Sequence, residues 1–211
     1  MIRVVLADDH DIVREGMISL LKNSDECLVV AQASDGAEAL EKALEHKPDV
    51  LVVDISMPKM NGLEVVRRVN QQLPDCRILV LTMHEEKEYV IHMVKSGAAG
   101  YLVKDSASKE LLEAVKRLAT GKSYFGQYAT EILAEQYRNP DDSFDDPYQN
   151  LTDREREVFH LVVQGATTKD IARCLGISAK TAENHRGKVI EKLDVKNTVE
   201  LVRYAAKKGL L

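Results

Sequence analysis

Short runs of consecutive rather than alternating apolar residues recur through the first 120 positions. They are Val4-Val5-Leu6-Ala7, Leu28-Val29-Val30-Ala31, Val50-Leu51-Val52-Val53, Ile78-Leu79-Val80-Leu81 and Tyr101-Leu102-Val103. A brief run of Val, Leu and Ile without polar alternation reads as a strand buried on both faces, and such strands belong to parallel sheets covered by helices. The stretches between them supply the helices. Val13, Gly16, Met17, Leu20 and Leu21 recur at helical spacing, as do Ala37, Leu40 and Leu44, then Leu63, Val66, Val69 and Leu73, then Leu111, Val115 and Leu118. Five β–α units over residues 1–121 predict an open, doubly wound α/β domain with a parallel five-stranded sheet in the order 2-1-3-4-5.

The rhythm breaks at residues 122–149. Asn139-Pro140-Asp141-Asp142 and Asp145-Asp146-Pro147 carry acids and prolines with little apolar content, as a solvated linker does, and a short helix over Tyr128–Tyr137 precedes them. Residues 150–211 then read as a small all-α domain of four helices. Thr152 and Glu155 form a capping box for the first, Gly165 closes it, Gly176 closes the second, Ser178 caps the third, and Asn197 or Lys196 starts the fourth. Charge follows the same division. Residues 1–121 hold 15 Lys/Arg against 20 Asp/Glu, residues 122–149 hold 2 against 6, and residues 150–211 hold 12 against 8. An acidic body with a basic tail implies two modules with different partners, the tail's being a polyanion. Three scattered cysteines (Cys27, Cys76, Cys174) without metal-ligand spacing fit a reducing cytoplasm. No apolar run approaches the ~18 residues that span a bilayer, and two acids arrive before a signal-peptide core could form.

In open α/β sheets, ligands sit beyond the carboxyl ends of the strands. Strand one here ends at Asp8-Asp9, strand three at Asp54, strand four at Thr82 and strand five at Lys104. Three converging carboxylates repel one another unless a cation joins them, and an all-oxygen set suits Mg²⁺. Lys104 adds a second positive charge and Thr82 a hydroxyl donor. Nucleophilic carboxylate, metal, lysine and hydroxyl are the parts that phosphoryl transfer needs, with Asp54 as the acceptor that holds an aspartyl phosphate.

The tail contains a helix-turn-helix: Ile171-Ala172 and Leu175, a tight Gly176-Ile177-Ser178 turn, then a helix from Ala179 to Leu193. On that last helix Ala182, Val189 and Leu193 share the core face. Lys180, Asn184, Gly187, Lys188 and Glu191 fall opposite, flanked by Thr181, Glu183, His185 and Lys192. A face of amide, acid and ammonium groups suits base edges and phosphates of a DNA major groove. Asn184 could pair with adenine and Glu183 with cytosine, while Lys188, Lys192, Thr181 and His185 suit backbone phosphates. Gly187 costs helix propensity and suggests a close backbone approach to DNA. A solvated face in a protein–protein module is the competing reading.

With these pieces in place, residues 1–120 resemble the receiver domain of two-component response regulators. The matching segments are VLADDH, Asp54 with Ser56-Met57-Pro58 and Asn61-Gly62, LTMH, and GYLVKDS. Leu151–Val158, Lys169-Asp170-Ile171-Ala172, Ile177-Ser178, Thr181, His185 and Lys192-Leu193 resemble a LuxR-type DNA-binding domain, so the chain is similar to NarL/FixJ-type response regulators over nearly its whole length. The resemblance implies a flavodoxin-like receiver and a cytoplasmic transcription regulator rather than an enzyme. A sensor histidine kinase would phosphorylate Asp54, with Mg²⁺ held by Asp8, Asp9, Asp54 and the main chain at Ser56. Thr82 and Tyr101 would be the switch positions. The partners implied are promoter DNA, RNA polymerase and a second copy of the phosphorylated chain. Asp105 follows Lys104 where proline is frequent, Ala182 replaces a usual valine, and Asp194 stands where glycine is common. Two other readings exist. An aspartate-dependent phosphatase would carry an acid at position 56, where this chain has serine, and the intact acidic set argues against a regulator that ignores phosphate.

Overall fold

The computed structural model describes residues 1–83, 87–138, 147–208 and 210. The chain divides into two compact units, Met1–Asn139 and Pro140–Leu211. The first is built on a parallel sheet of β1 (Ile2–Ala7), β2 (Cys27–Ala33), β3 (Val50–Asp54), β4 (Arg77–Thr82), β5 (Gly100–Val103) and β6 (Tyr124–Phe125), in the order β2-β1-β3-β4-β5-β6. Around it lie α1 (Asp11–Lys22), α2 (Gly36–His46), α3 (Gly62–Gln72), α4 (Lys87–Lys95), α5 (Lys104–Ala119) and α6 (Gln127–Arg138). This is the doubly wound α/β class that the apolar runs predict, with one strand more.

Every residue of β3 is buried, because α1 and α5 pack together over one face of the sheet and α2, α3 and α4 adjoin one another on the other. Val4, Leu6, Val50, Val52, Leu79, Leu81 and Leu102 meet Met17, Leu21, Leu111, Val115 and Leu118 on the α1/α5 side. Strand alternation then turns Val80, Thr82 and Tyr101 to the opposite side. Tyr101 lies level with Val80, and both Tyr101 and Thr82 are fully buried.

The connector expected from residue 122 begins later than its composition suggests. Tyr124 and Phe125 pair with Gly100 and Tyr101 as the sixth strand, the Tyr124 and Gly126 N–H groups donating to the carbonyls of Ala99 and Tyr101 at 3.1 and 3.0 Å. Two residues are too few to show any period in sequence. The helix expected over Tyr128–Tyr137 is α6, one residue longer at each end, and it packs on α4 with Ala129 buried and Lys87 3.4 Å from Glu135. The acidic stretch from Asp141 to Asp146 lies outside the described residues.

The second unit holds a 3-10 turn (Pro147–Asn150), α7 (Asp153–Val163), α8 (Thr168–Leu175), α9 (Ala179–Lys192) and α10 (Thr198–Lys207). The Thr152–Glu155 capping box is present, Ser178 caps α9, and Asn197 rather than Lys196 caps α10. A second box, Thr167 with Asp170, opens α8. Tyr148, two residues before the expected start of this domain, is part of its core. Its ring meets the Phe159 ring at 5.2 Å, its hydroxyl hydrogen-bonds His160 Nε2 at 2.8 Å, and its N–H donates to the Tyr204 hydroxyl. Asp194, just beyond the end of α9, has φ +51°, the left-handed conformation that glycine adopts without steric cost.

A Cβ on Gly100 would lie 2.8 Å from both the Tyr124 carbonyl oxygen and Leu79 Cδ1, and the carbonyl belongs to backbone that can shift only by moving β6. Gly100→Ala is expected to destabilise the first unit by about 1–3 kcal/mol. Hydrogen exchange at the Tyr124 and Gly126 amides should accelerate well beyond that of β1 and β3. Equal acceleration across the sheet would show that β6 is not the element displaced.

Candidate functional site

The register of the sheet brings the polar strand ends together. Ala7 lies opposite Val53, so Asp8 and Asp54 are level. Asp54 faces Leu81, which sets Thr82 one residue beyond, and Thr82 faces Val103, which places Lys104 next in line. Lys104 is the first residue of α5 rather than the last of β5. Its Nζ is 2.7 Å from Asp54 Oδ2 and 2.8 Å from Asp8 Oδ2, with all three side chains almost wholly out of solvent. The Ile55 N–H donates to Asp54 Oδ1 at 2.7 Å, and the His10 N–H to Asp8 Oδ1 at 2.9 Å. Asp9 is more exposed, with Oδ1 2.8 Å from His10 Nδ1.

Burial pushes the Asp54 carboxyl above its ordinary range, and the neighbouring Asp8 adds to that, while Lys104 and the Ile55 N–H act in the opposite sense. For Lys104 burial opposes the charge, yet its hydrogen bonds to Asp54 and Asp8 carry it above the ordinary lysine value. Two buried carboxylates therefore share one ammonium, and Asp9 adds a third negative charge at the rim. Ligand atoms of Asp8, Asp9, His10 and Asp54 all lie within 4.8 Å of one another. This cluster has the hard-oxygen donors and the uncompensated negative charge to hold a divalent cation. His10 is a member that the strand-end pattern did not single out; it follows directly in sequence.

On α9 the structure places Ala182, Val189 and Leu193 in the core and leaves Lys180, Glu183, Asn184, Gly187 and Lys188 exposed, with Thr181 and His185 half-buried. A Cβ on Gly187 would meet nothing within 4 Å, so protein packing does not require glycine there. Three of the expected DNA contacts have partners inside the domain, Thr181 Oγ1 lying 2.8 Å from Ser178 Oγ. Lys192 Nζ is 2.6 Å from Glu155 Oε2 and 3.0 Å from the Asn150 carbonyl, and Glu183 accepts a hydrogen bond from Thr168 at 2.8 Å. Arg186, which the helical wheel passed over, donates to Thr198 on α10 and to Thr168 on α8 and so joins three helices.

Comparison with known proteins matches each of the two units to a family. Residues 4–116 match the response regulator receiver domain, and residues 149–205 match the bacterial regulatory proteins of the luxR family. Oxygen regulatory protein NreC of Staphylococcus haemolyticus is 41% identical over 99% of both chains, and that of Staphylococcus carnosus is 38% identical over the same share. The chain belongs to the response regulators of the NarL/FixJ type. The receiver domain of the putative response regulator NarL from Mycobacterium tuberculosis is 40% identical, covering 57% of this regulator and 98% of that chain, with a TM-score of 0.56. Salmonella typhimurium RcsB covers 98% of both chains at 26% identity with a TM-score of 0.60. In an RcsB–DNA complex the values are 97% of this chain, 98% of that one, 25% identity and a TM-score of 0.61. Among the described residues of the regulator, no helix is long and apolar enough to cross a membrane.

The Glu155–Lys192 pair generates a pH prediction. Burial pushes the Glu155 carboxyl up, but Lys192 and the Thr152 N–H outweigh it and hold the group below its ordinary value of 4.5. A depressed carboxylate stabilises the fold above its unfolded pKa and loses that contribution as pH falls through the folded value. Glu155→Gln is expected to destabilise the second unit by about 1–3 kcal/mol at neutral pH. The difference from wild type should close as pH falls below about 4.5, as followed by thermal unfolding at stepped pH. A gap that stays constant across that range would remove the ion pair as its cause.

Proposed function

We propose that this regulator accepts a phosphoryl group on Asp54 from a sensor histidine kinase in the cytoplasm, and that the modification controls dimerisation and promoter binding through α9. The observation that carries the reading is the sharing of one lysine by two buried carboxylates at the carboxyl edge of a parallel sheet, with a third carboxylate at its rim. Asp54 lies at the centre of that group and is the nucleophile: its carboxylate oxygen attacks phosphorus as the N–P bond of a donor phosphohistidine breaks. Mg²⁺, held by Asp8, Asp9, Asp54 and the main chain at Ser56, would supply positive charge to offset the repulsion between the carboxylates and the incoming phosphoryl oxygens. Lys104, already against Asp54 Oδ2, shifts its hydrogen bond to the phosphoryl oxygens as they arrive, and the Thr82 hydroxyl donates to another.

Once Thr82 turns to the phosphate, the space beside it on the α4 side changes, and Tyr101 on the adjacent strand repacks. Tyr101 lines a cavity of about 250 Å³ with Val103, Ser106, Gly126 and Tyr128. Because β6 pairs with β5 at Tyr101 and α6 packs on α4, repacking reaches the chain that leads to the second unit. Signalling requires such a two-state element, whose balance the phosphate shifts.

In the DNA-binding unit, Asn184 reads base edges, and Lys180, Lys188, Thr181 and His185 contact phosphates, with Gly187 admitting the backbone. Glu183 and Lys192 reach DNA only by exchanging the partners they hold within the domain. One recognition helix reads too few bases alone, so a dimer on two related half-sites is required, and RNA polymerase is a partner at the promoter. Selection from a random duplex pool, before and after treatment with a small phosphodonor and Mg²⁺, tests this reading. The treated protein is expected to enrich two related half-sites about 34 Å apart and to elute as a dimer. Lys188→Ala should weaken binding about equally on all sequences and lower the salt slope by about 1, whereas Asn184→Ala should relax sequence preference. No enrichment, or equal binding and equal size before and after treatment, would overturn it.

A further inference from the structure

The loop that follows Asp54 is closed on itself and gripped from outside. The Met57 and Gly62 N–H groups both donate to the Ile55 carbonyl, at 3.2 and 2.7 Å, and the Met60 N–H donates to the Pro58 carbonyl at 2.8 Å. At the crest, Lys59 has φ +64°, in the left-handed region that a residue with a Cβ avoids. Such a backbone persists where its surroundings over-determine it. Here those surroundings are the start of α2. The buried Asp35 caps that helix through Oδ1, which accepts from the Glu38 N–H at 2.9 Å, while its Oδ2 accepts from Lys59 Nζ at 2.5 Å. The Gly36 N–H reaches the Pro58 carbonyl at 3.3 Å, and a Cβ on Gly36 would lie 1.8 Å from the Met60 carbonyl oxygen. The start of α2 therefore holds the crest by its main chain on either side of Lys59 and by charge at Lys59 itself.

We infer that Asp35 and Lys59 are positioning residues whose ion pair sets the main chain at Ser56, and through it the affinity of the acidic site for its divalent cation. This rests on the cation reading of that site given above. Ser56 lies three residues before Lys59 inside the closed turn. With Met57 and Gly62 tied to one carbonyl and Met60 to another, little torsional slack separates the two. Without the ammonium the left-handed crest relaxes, and the carbonyl of Ser56 moves with it. The Lys59 side chain is 70% exposed, so its pair with Asp35 contributes little to global stability and its effect is local.

The test is Mg²⁺ titration of the full chain without a phosphodonor, followed through the amide resonances of Asp54 to Gly62. Wild type is compared with Lys59→Ala, Lys59→Arg, Asp35→Ser and the Asp35→Ser/Lys59→Ala double variant. Serine keeps the helix cap and removes the charge, so the proposal stays testable should Lys59→Ala fold poorly. Dissociation constants about three- to tenfold higher are expected for Lys59→Ala and Asp35→Ser, close to wild type for Lys59→Arg, and no worse in the double variant than in either single one. Variants that bind within twofold of wild type would overturn the positioning role alone. A wild type without saturable shifts would overturn the cation reading and the positioning role with it.

Discussion

One ammonium between two buried carboxylates organises the receiver. Lys104 touches both Asp8 and Asp54, which come from neighbouring strands, while the lysine opens a helix two strands away. Removing either carboxylate from water is costly, and a single lysine leaves the cluster negative once Asp9 is counted. A site with that imbalance is stabilised by whatever brings positive charge to it. The parallel sheet makes the arrangement possible, since all its strands end at the same edge and hydrophobic burial on both faces fixes their register. The apolar core thus stabilises a polar edge that is unfavourable by itself.

The second unit solves a different problem, which is to hold a small fold together while part of the polar face of α9 stays exposed. Its core is small and relies on aromatic edge contacts among Tyr148, Phe159, His160 and Tyr204. Polar ties at its margins do much of the holding: two capping boxes, Glu155 with Lys192, and Arg186 with Thr168 and Thr198. Lys180, Asn184 and Lys188 remain exposed on α9 between those ties. Some basic side chains of this domain therefore serve the fold, which a net charge alone does not distinguish from DNA contacts.

Much of this was legible in the sequence because it is local or periodic. Short apolar runs mark the strands, wholly covered at β3 but only partly at the edge strand β2, where Leu28 is exposed. A polar residue at or just after the end of a strand marks the edge where ligands gather, so Asp8, Asp54, Thr82 and Lys104 stand out in the chain itself. Helix caps such as Thr152 and Ser178 are readable for the same reason. What escaped depends on pairs distant along the chain or on segments too short to have a period. Tyr124-Phe125 is a strand only because β5 offers an open edge. Lys192 reads as a DNA contact until Glu155, 37 residues earlier, is found against it. Asp35 and Lys59 are 24 residues apart and look like unrelated surface charges until the loop after β3 folds over the start of α2.

On the proposed reading, the acidic edge around Asp54 accepts a phosphoryl group with the help of a divalent cation. Intact mass of the full chain after exposure to a small phosphodonor tests it most directly, with wild type and Asp54→Asn each treated with Mg²⁺ or with chelator. One added phosphoryl group is expected in wild type with Mg²⁺, none with chelator, and none in Asp54→Asn under either condition. Equal modification of Asp54→Asn, or an unmodified wild type in the presence of Mg²⁺, would contradict it.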